Sequence, residues 1–120
     1  MRLQDEAAKD KVLKALADEY SRIIILSTIQ KAKSAVELSV EKNLPISTVY
    51  RRLHELEEAK LVAIERSTIT EDGKKFDLYR STVGSVSVSF NPGATEVEIV
   101  PNEDMVAKFV RLWGYMRGQG

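Results

Sequence analysis

The strongest local constraint in this sequence is a set of helix punctuation marks in its first half. Ser34 and Glu37 stand three residues apart, the spacing at which a serine hydroxyl and a glutamate carboxylate each satisfy a backbone N–H at a helix start. A helix is therefore predicted to begin at Ser34. Asn43 tolerates the left-handed backbone that closes a helix, and Pro45 suits the first turn of the next one, where no backbone donor is needed. The turn between the two helices is then about three residues. From Ile46 onward, Val49, Leu53 and Leu56 share one helical face, while Ser47, Tyr50, Arg51 and His54 occupy the opposite one.

Upstream, Val12, Leu13, Leu16 and Ala17, then Tyr20, Ile23, Leu26 and Ile29, recur at helical spacing. Two helices joined near Asp18-Glu19 are expected, behind an acidic, helical N-terminus. After Lys60 the period changes. Val62, Ile64 and Ile69, then Phe76, Leu78 and Arg80, lie in two strand-like runs around Thr70-Glu71-Asp72-Gly73-Lys74, and Asp-Gly between such runs signals a hairpin. A second hairpin is predicted where Val86, Val88 and Phe90 alternate with serines, a turn follows at Asn91-Pro92-Gly93-Ala94, and Val97 and Ile99 alternate with glutamates. Whether this hairpin, Ser85 to Val100, pairs within one subunit or across two is left open by the pattern. Asn102 should cap a last helix from about Glu103, with Val106, Phe109, Val110, Trp113 and Met116 as its apolar stripe. Helices and antiparallel hairpins together define an α+β class.

At 120 residues the chain is in the single-domain range. Its 18 basic and 18 acidic residues cancel, so any polyanion-binding surface has to come from local segregation of charge. Such segregation is present: Arg51 and Arg52 stand near the start of one helix and Glu55, Glu57 and Glu58 near its end, opposite to what the helix dipole prefers. Cysteine is absent and His54 is the only histidine, which excludes disulfide scaffolds, thiolate metal sites and cysteine nucleophiles. There is no Gly-rich phosphate loop and no carboxylate pair singled out by spacing, so neither an enzyme nor a metal or cofactor is expected. The N-terminus carries no apolar leader core, and no stretch reaches the roughly 20 apolar residues that cross a bilayer, so the expectation is a cytoplasmic protein without membrane contact.

Two helices joined by a tight turn and followed at once by a charged hairpin form the arrangement that offers a recognition helix to the DNA major groove and a wing to the backbone. The run from Val36-Glu37-Leu38-Ser39-Val40 through Pro45, Tyr50-Arg51-Arg52 and Leu56-Glu57-Glu58-Ala59-Lys60-Leu61-Val62 resembles the helix-turn-helix of ArsR-like winged-helix transcription regulators. Lys14-Ala15-Leu16-Ala17-Asp18 upstream extends the likeness, which covers residues 10–83, and the tail with its second hairpin and Trp-bearing helix resembles an archaeal branch of that group. The resemblance implies a winged helix-turn-helix over residues 1–83, and a β-hairpin with a C-terminal dimerisation helix over 84–120. It also implies a homodimer on double-stranded DNA. Two departures stand out. Lys60 takes the place of a usual glycine, so a lysine has to occupy a left-handed exit at some cost, and the helix of Glu37-Leu38-Ser39-Val40 lacks the cysteines of metal-sensing members. Metal response is therefore not implied, and the resemblance names no small-molecule effector.

Under this reading Ser47 and Thr48, in the first turn of the recognition helix, reach phosphates or base edges. Tyr50 can pack on sugar or thymine methyl, and Arg51 can bond guanine through two hydrogen bonds. Arg52 and His54 are expected as phosphate contacts. In the hairpin, Lys74 and Lys75 lead Arg66 and Arg80 as backbone-neutralising residues, although Glu71 and Asp72 dilute the charge at its tip. The last helix could line a ligand cavity or form an interface; an interface is the expectation, with Leu13 and Leu16 meeting Val106, Phe109, Val110, Trp113 and Met116 across a two-fold axis. A winged-helix module that binds another protein is the competing expectation, because the net charge is zero.

Overall fold

The computed structural model describes the backbone of residues 1–118 and the side chains of residues 1–114. Among these, helices and two antiparallel hairpins give an α+β architecture. Helices α1 (Glu6–Ala17) and α2 (Glu19–Ser27) meet at Asp18, and this single residue serves both. Its backbone N–H donates to the Ala15 carbonyl and closes α1, while its carboxylate accepts from the Ser21 N–H at 2.8 Å and opens α2. The break falls where the sequence placed it.

The start of α3 (Ala35–Lys42) has both halves of the capping box, with the Glu37 N–H donating to Ser34 Oγ and the Ser34 N–H to Glu37 Oε1, each at 3.1 Å. Asn43 ends that helix at φ 54°, and the Ser39 hydroxyl donates to the Leu44 carbonyl at 2.6 Å, which fixes the turn. Helix α4 (Ile46–Glu58) follows from Pro45 and turns Val49, Leu53 and Leu56 into the core.

Strands β1 (Val62–Ile69) and β2 (Lys75–Ser81) pair antiparallel, with an irregularity in β1 between Ile64 and Arg66. A one-residue bridge joins this hairpin from upstream, on the outer side of β2: Lys33 and Tyr79 exchange both backbone hydrogen bonds, at 2.9 and 2.8 Å. The second hairpin, β3 (Val83–Asn91) with β4 (Ala94–Pro101), pairs Val86 with Ile99 and Val88 with Val97 on its inner face. Its β4 edge is covered by the chain's own start. Leu3 N–H donates to the Val97 carbonyl at 2.9 Å and Ile99 N–H to the Met1 carbonyl at 2.7 Å, so the N-terminus expected to be helical begins as an extended segment bridged to β4 at Arg2. Leu3 is buried there, and only from Glu6 does the chain turn helical.

A 3-10 turn, Glu103–Met105, capped by the Asn102 side chain, leads into α5 (Val106–Gly118). Here the expected apolar stripe divides. Met105, Phe109 and Trp113, four residues apart in succession, are buried in the subunit's own core, whereas Val106 and Val110 are about half exposed. The two aromatic rings sit 6.1 Å apart. Phe109 and Trp113 therefore have no free surface to give a second subunit, because their area is already spent on this one; Met116 lies outside the residues whose side chains are described. Leu13 and Leu16 are half-buried against the same core. That core is continuous across residue 83, joining Val12, Leu53 and Leu61 to Val97, Ile99, Phe109 and Trp113.

Lys60 does adopt the left-handed exit, at φ 65°. Its carbonyl accepts from Thr82 Oγ1 at 2.8 Å and from Trp113 Nε1 at 3.2 Å, and its ammonium lies 5.9 Å from the Trp113 ring centre. The lysine thus gains an aromatic partner that glycine could not have.

Candidate nucleic-acid interface

Because α4 buries one face completely, its other face is set by geometry. Ser47, Tyr50, Arg51 and His54 are exposed together, with Thr48 half-exposed beside them. The first turn of α4 has no side-chain cap, so the backbone N–H groups at that end have no partner from a capping side chain. Arg51 is in no ion pair among the described residues, while His54 Nε2 lies 3.0 Å from Glu58 Oε1 one turn further on. The hairpin that follows ends in a tight tip. Thr70 N–H donates to the Lys74 carbonyl at 2.8 Å, Gly73 N–H to the Thr70 carbonyl at 2.9 Å, and Gly73 takes φ 85°, a value that suits glycine. Lys74 and Lys75 are exposed at this tip, and Arg66 is exposed on β1, paired with Glu65 at 2.9 Å.

Two expected contacts are spent elsewhere. Arg52 grips Asp18 through two hydrogen bonds, Nε to Oδ2 at 2.8 Å and Nη2 to Oδ1 at 3.1 Å. Its guanidinium holds the Asp18 carboxyl below the usual carboxylate range, and the aspartate in turn raises the arginine. It ties α4 to the α1–α2 junction and is not free for phosphate. Arg80 is 6% exposed. Its guanidinium donates to the Ile29 carbonyl from Nε at 3.0 Å and Nη2 at 2.9 Å, to Glu65 at 2.9 Å and to Asp104 at 2.7 Å. A side chain so fully committed is a structural clamp rather than a backbone-neutralising arm.

Sequence reasoning missed the acidic group between α4 and the hairpin. Glu57 is half-buried, and burial pushes its carboxyl up, with the charge of Asp77 adding and His54 opposing. Burial likewise pushes the Tyr79 phenol up, helped by Glu57 and Asp77. A spacing of three from His54 was the available signal, but alone it does not tell a solvated glutamate from one facing a strand.

Among the described residues no cluster of His, Cys, Asp and Glu could hold a metal ion, and no helix is long and apolar enough to cross a membrane. Comparison with protein-family models gives no match, and no curated protein matches the sequence significantly.

Proposed function

We propose that this chain is a winged helix-turn-helix transcription regulator that binds double-stranded DNA as a homodimer, with α4 in the major groove and the β1–β2 hairpin on the backbone. The observation that carries the reading is the division of α4. Val49, Leu53 and Leu56 fix the helix in the core, which leaves Ser47, Tyr50 and Arg51 outward at its uncapped N-terminal end, where a recognition helix meets base edges and phosphate. Support also comes from the order of elements: α2, a single-rung bridge at Lys33, α3, a tight turn, α4, and a hairpin tipped by Lys74 and Lys75. In this reading Arg51 reads sequence and the tip lysines neutralise phosphate.

The test is selection of bound duplexes from a random pool, then fluorescence anisotropy on the winner at several salt concentrations. An inverted repeat with a steep negative salt slope is the expected result. Arg51→Ala should relax sequence preference by about 1–3 kcal/mol at one position, whereas Lys75→Ala should weaken all sequences alike and lower the salt slope by about one. Equal losses on specific and random duplexes for Arg51→Ala would remove direct readout from the proposal.

One observation favours a second reading, a module that docks on another protein. Val36 and Val40, one turn apart on α3, are 58% and 76% exposed. Under that reading no duplex is bound even at low salt, and Val40→Asp abolishes capture of the partner.

A further inference from the structure

The second hairpin has one covered edge and one open one. On β4 the Met1–Leu3 segment takes the outer backbone groups, whereas β3 makes ladder hydrogen bonds only to β4 among the described residues. Natural proteins guard such an edge with lysine, proline or inward charge. β3 has no lysine, proline or charge: Val83–Asn91 reads Val-Gly-Ser-Val-Ser-Val-Ser-Phe-Asn. A bulge, which can also guard an edge, is confined to its start between Val83 and Ser85, and Ser85–Asn91 stays in regular register.

Its sequence is also self-complementary. Ser85-Val86-Ser87-Val88-Ser89 is a palindrome about Ser87. Two copies paired antiparallel with Ser87 on a two-fold axis set Ser85 opposite Ser89 and Val86 opposite Val88, like against like in size and polarity, with no charge to repel. In that register Phe90, 80% exposed and on the same face as Val86 and Val88, is carried past the other copy's Ser85. An apolar groove of about 180 Å³ lies there, where Val86 and Gly84 meet Leu16, Ile25, Leu26 and Ile29. Leu26 on its rim is 70% exposed. An exposed phenylalanine and an apolar groove at reciprocal positions are the features of an isologous contact.

We infer that the β3 edge is the dimerisation surface, with two copies of this chain forming a continuous sheet of β4, β3 and their symmetry mates, and with each Phe90 seated in the other copy's groove. This inference rests on the homodimer reading above and specifies its surface. It moves the interface from the Phe109–Trp113 line of α5 to β3, while Leu16, expected at an interface, stays in it.

The chain's lack of cysteine makes the test direct. Sedimentation equilibrium on the full chain gives the oligomeric state, and single cysteines are then oxidised with copper phenanthroline under those conditions. Ser87→Cys should cross-link efficiently, because directly opposed Cβ atoms lie about 4.5–5.5 Å apart. Ser89→Cys, equally exposed but offset from its own mate by four residues or about 13 Å, should not. Phe90→Ala should raise the dimer dissociation constant at least tenfold and leave the far-UV spectrum unchanged. A dimer in which Ser87→Cys links no better than Ser89→Cys, or in which Phe90→Ala changes nothing, overturns the β3 assignment and leaves the homodimer reading standing. A monomer at high micromolar concentration overturns both.

Discussion

Lys60 shows how one side chain can change sign from liability to support. A non-glycine residue in the left-handed region is strained by roughly 1 kcal/mol, and a partly exposed cation–π contact returns about 0.5–1 kcal/mol. Lys60→Gly removes both and should leave stability within about 0.5 kcal/mol of wild type, while Lys60→Ala keeps the strain, loses the Trp113 contact and should cost about 0.5–1 kcal/mol. Urea denaturation of the two variants decides it, and an alanine variant as stable as wild type would mean the aromatic contact contributes nothing. At this scale the sequence told the type of a residue but not its partner. Exposed Arg51, Asp18-bound Arg52 and clamped Arg80 look alike in the linear chain, because Asp18, Ile29 and Asp104 lie far from them along it. By contrast the Ser34–Glu37 cap was legible, since both partners sit within one turn.

Elements with a period were readable and elements without one were not. Both hairpins and the helix boundaries at Asp18, Ser34, Asn43 and Asn102 follow from alternation and caps, whereas the Lys33–Tyr79 and Arg2–Glu98 bridges are too short to have a period. The α1–α2–α4 junction depends on the ionised Asp18, which caps α2 and receives Arg52. With its folded pKa held below the unfolded value near 3.9, the carboxylate contributes stability that is fully present above that value and is lost as pH falls through the folded one. Asp18→Asn should therefore cost about 1–2 kcal/mol at neutral pH and flatten the loss of stability with acid. Chemical denaturation at pH 7, 5 and 3 measures both effects. A variant whose acid dependence parallels wild type would place the pH-sensitive contact elsewhere.

Over the whole molecule, the sequence suggested two segments divided at residue 83, and the packing joins them. Alternation along β3 and β4 says which face is apolar but not what it lies against. The answer is the helical core: Val97, Ile99, Phe109 and Trp113 are each at most 3% exposed and belong to the cluster of Val12, Leu53 and Leu61. Burying four such side chains is worth roughly 6–12 kcal/mol, against a net stability of about 5–15 kcal/mol for a typical domain. Arg80 adds a polar tie, since one guanidinium holds the loop after α2, β1 through Glu65 and the C-terminal segment through Asp104. Residues 84–113 are thus part of the folding unit and not an appendage. The full chain should unfold in one cooperative transition by calorimetry, and a fragment of residues 1–83 should show neither a thermal transition nor near-UV tyrosine dichroism. A cooperative transition in that fragment would mean that the helices and the first hairpin close a sufficient core alone, leaving the second hairpin and α5 free to evolve as an interface.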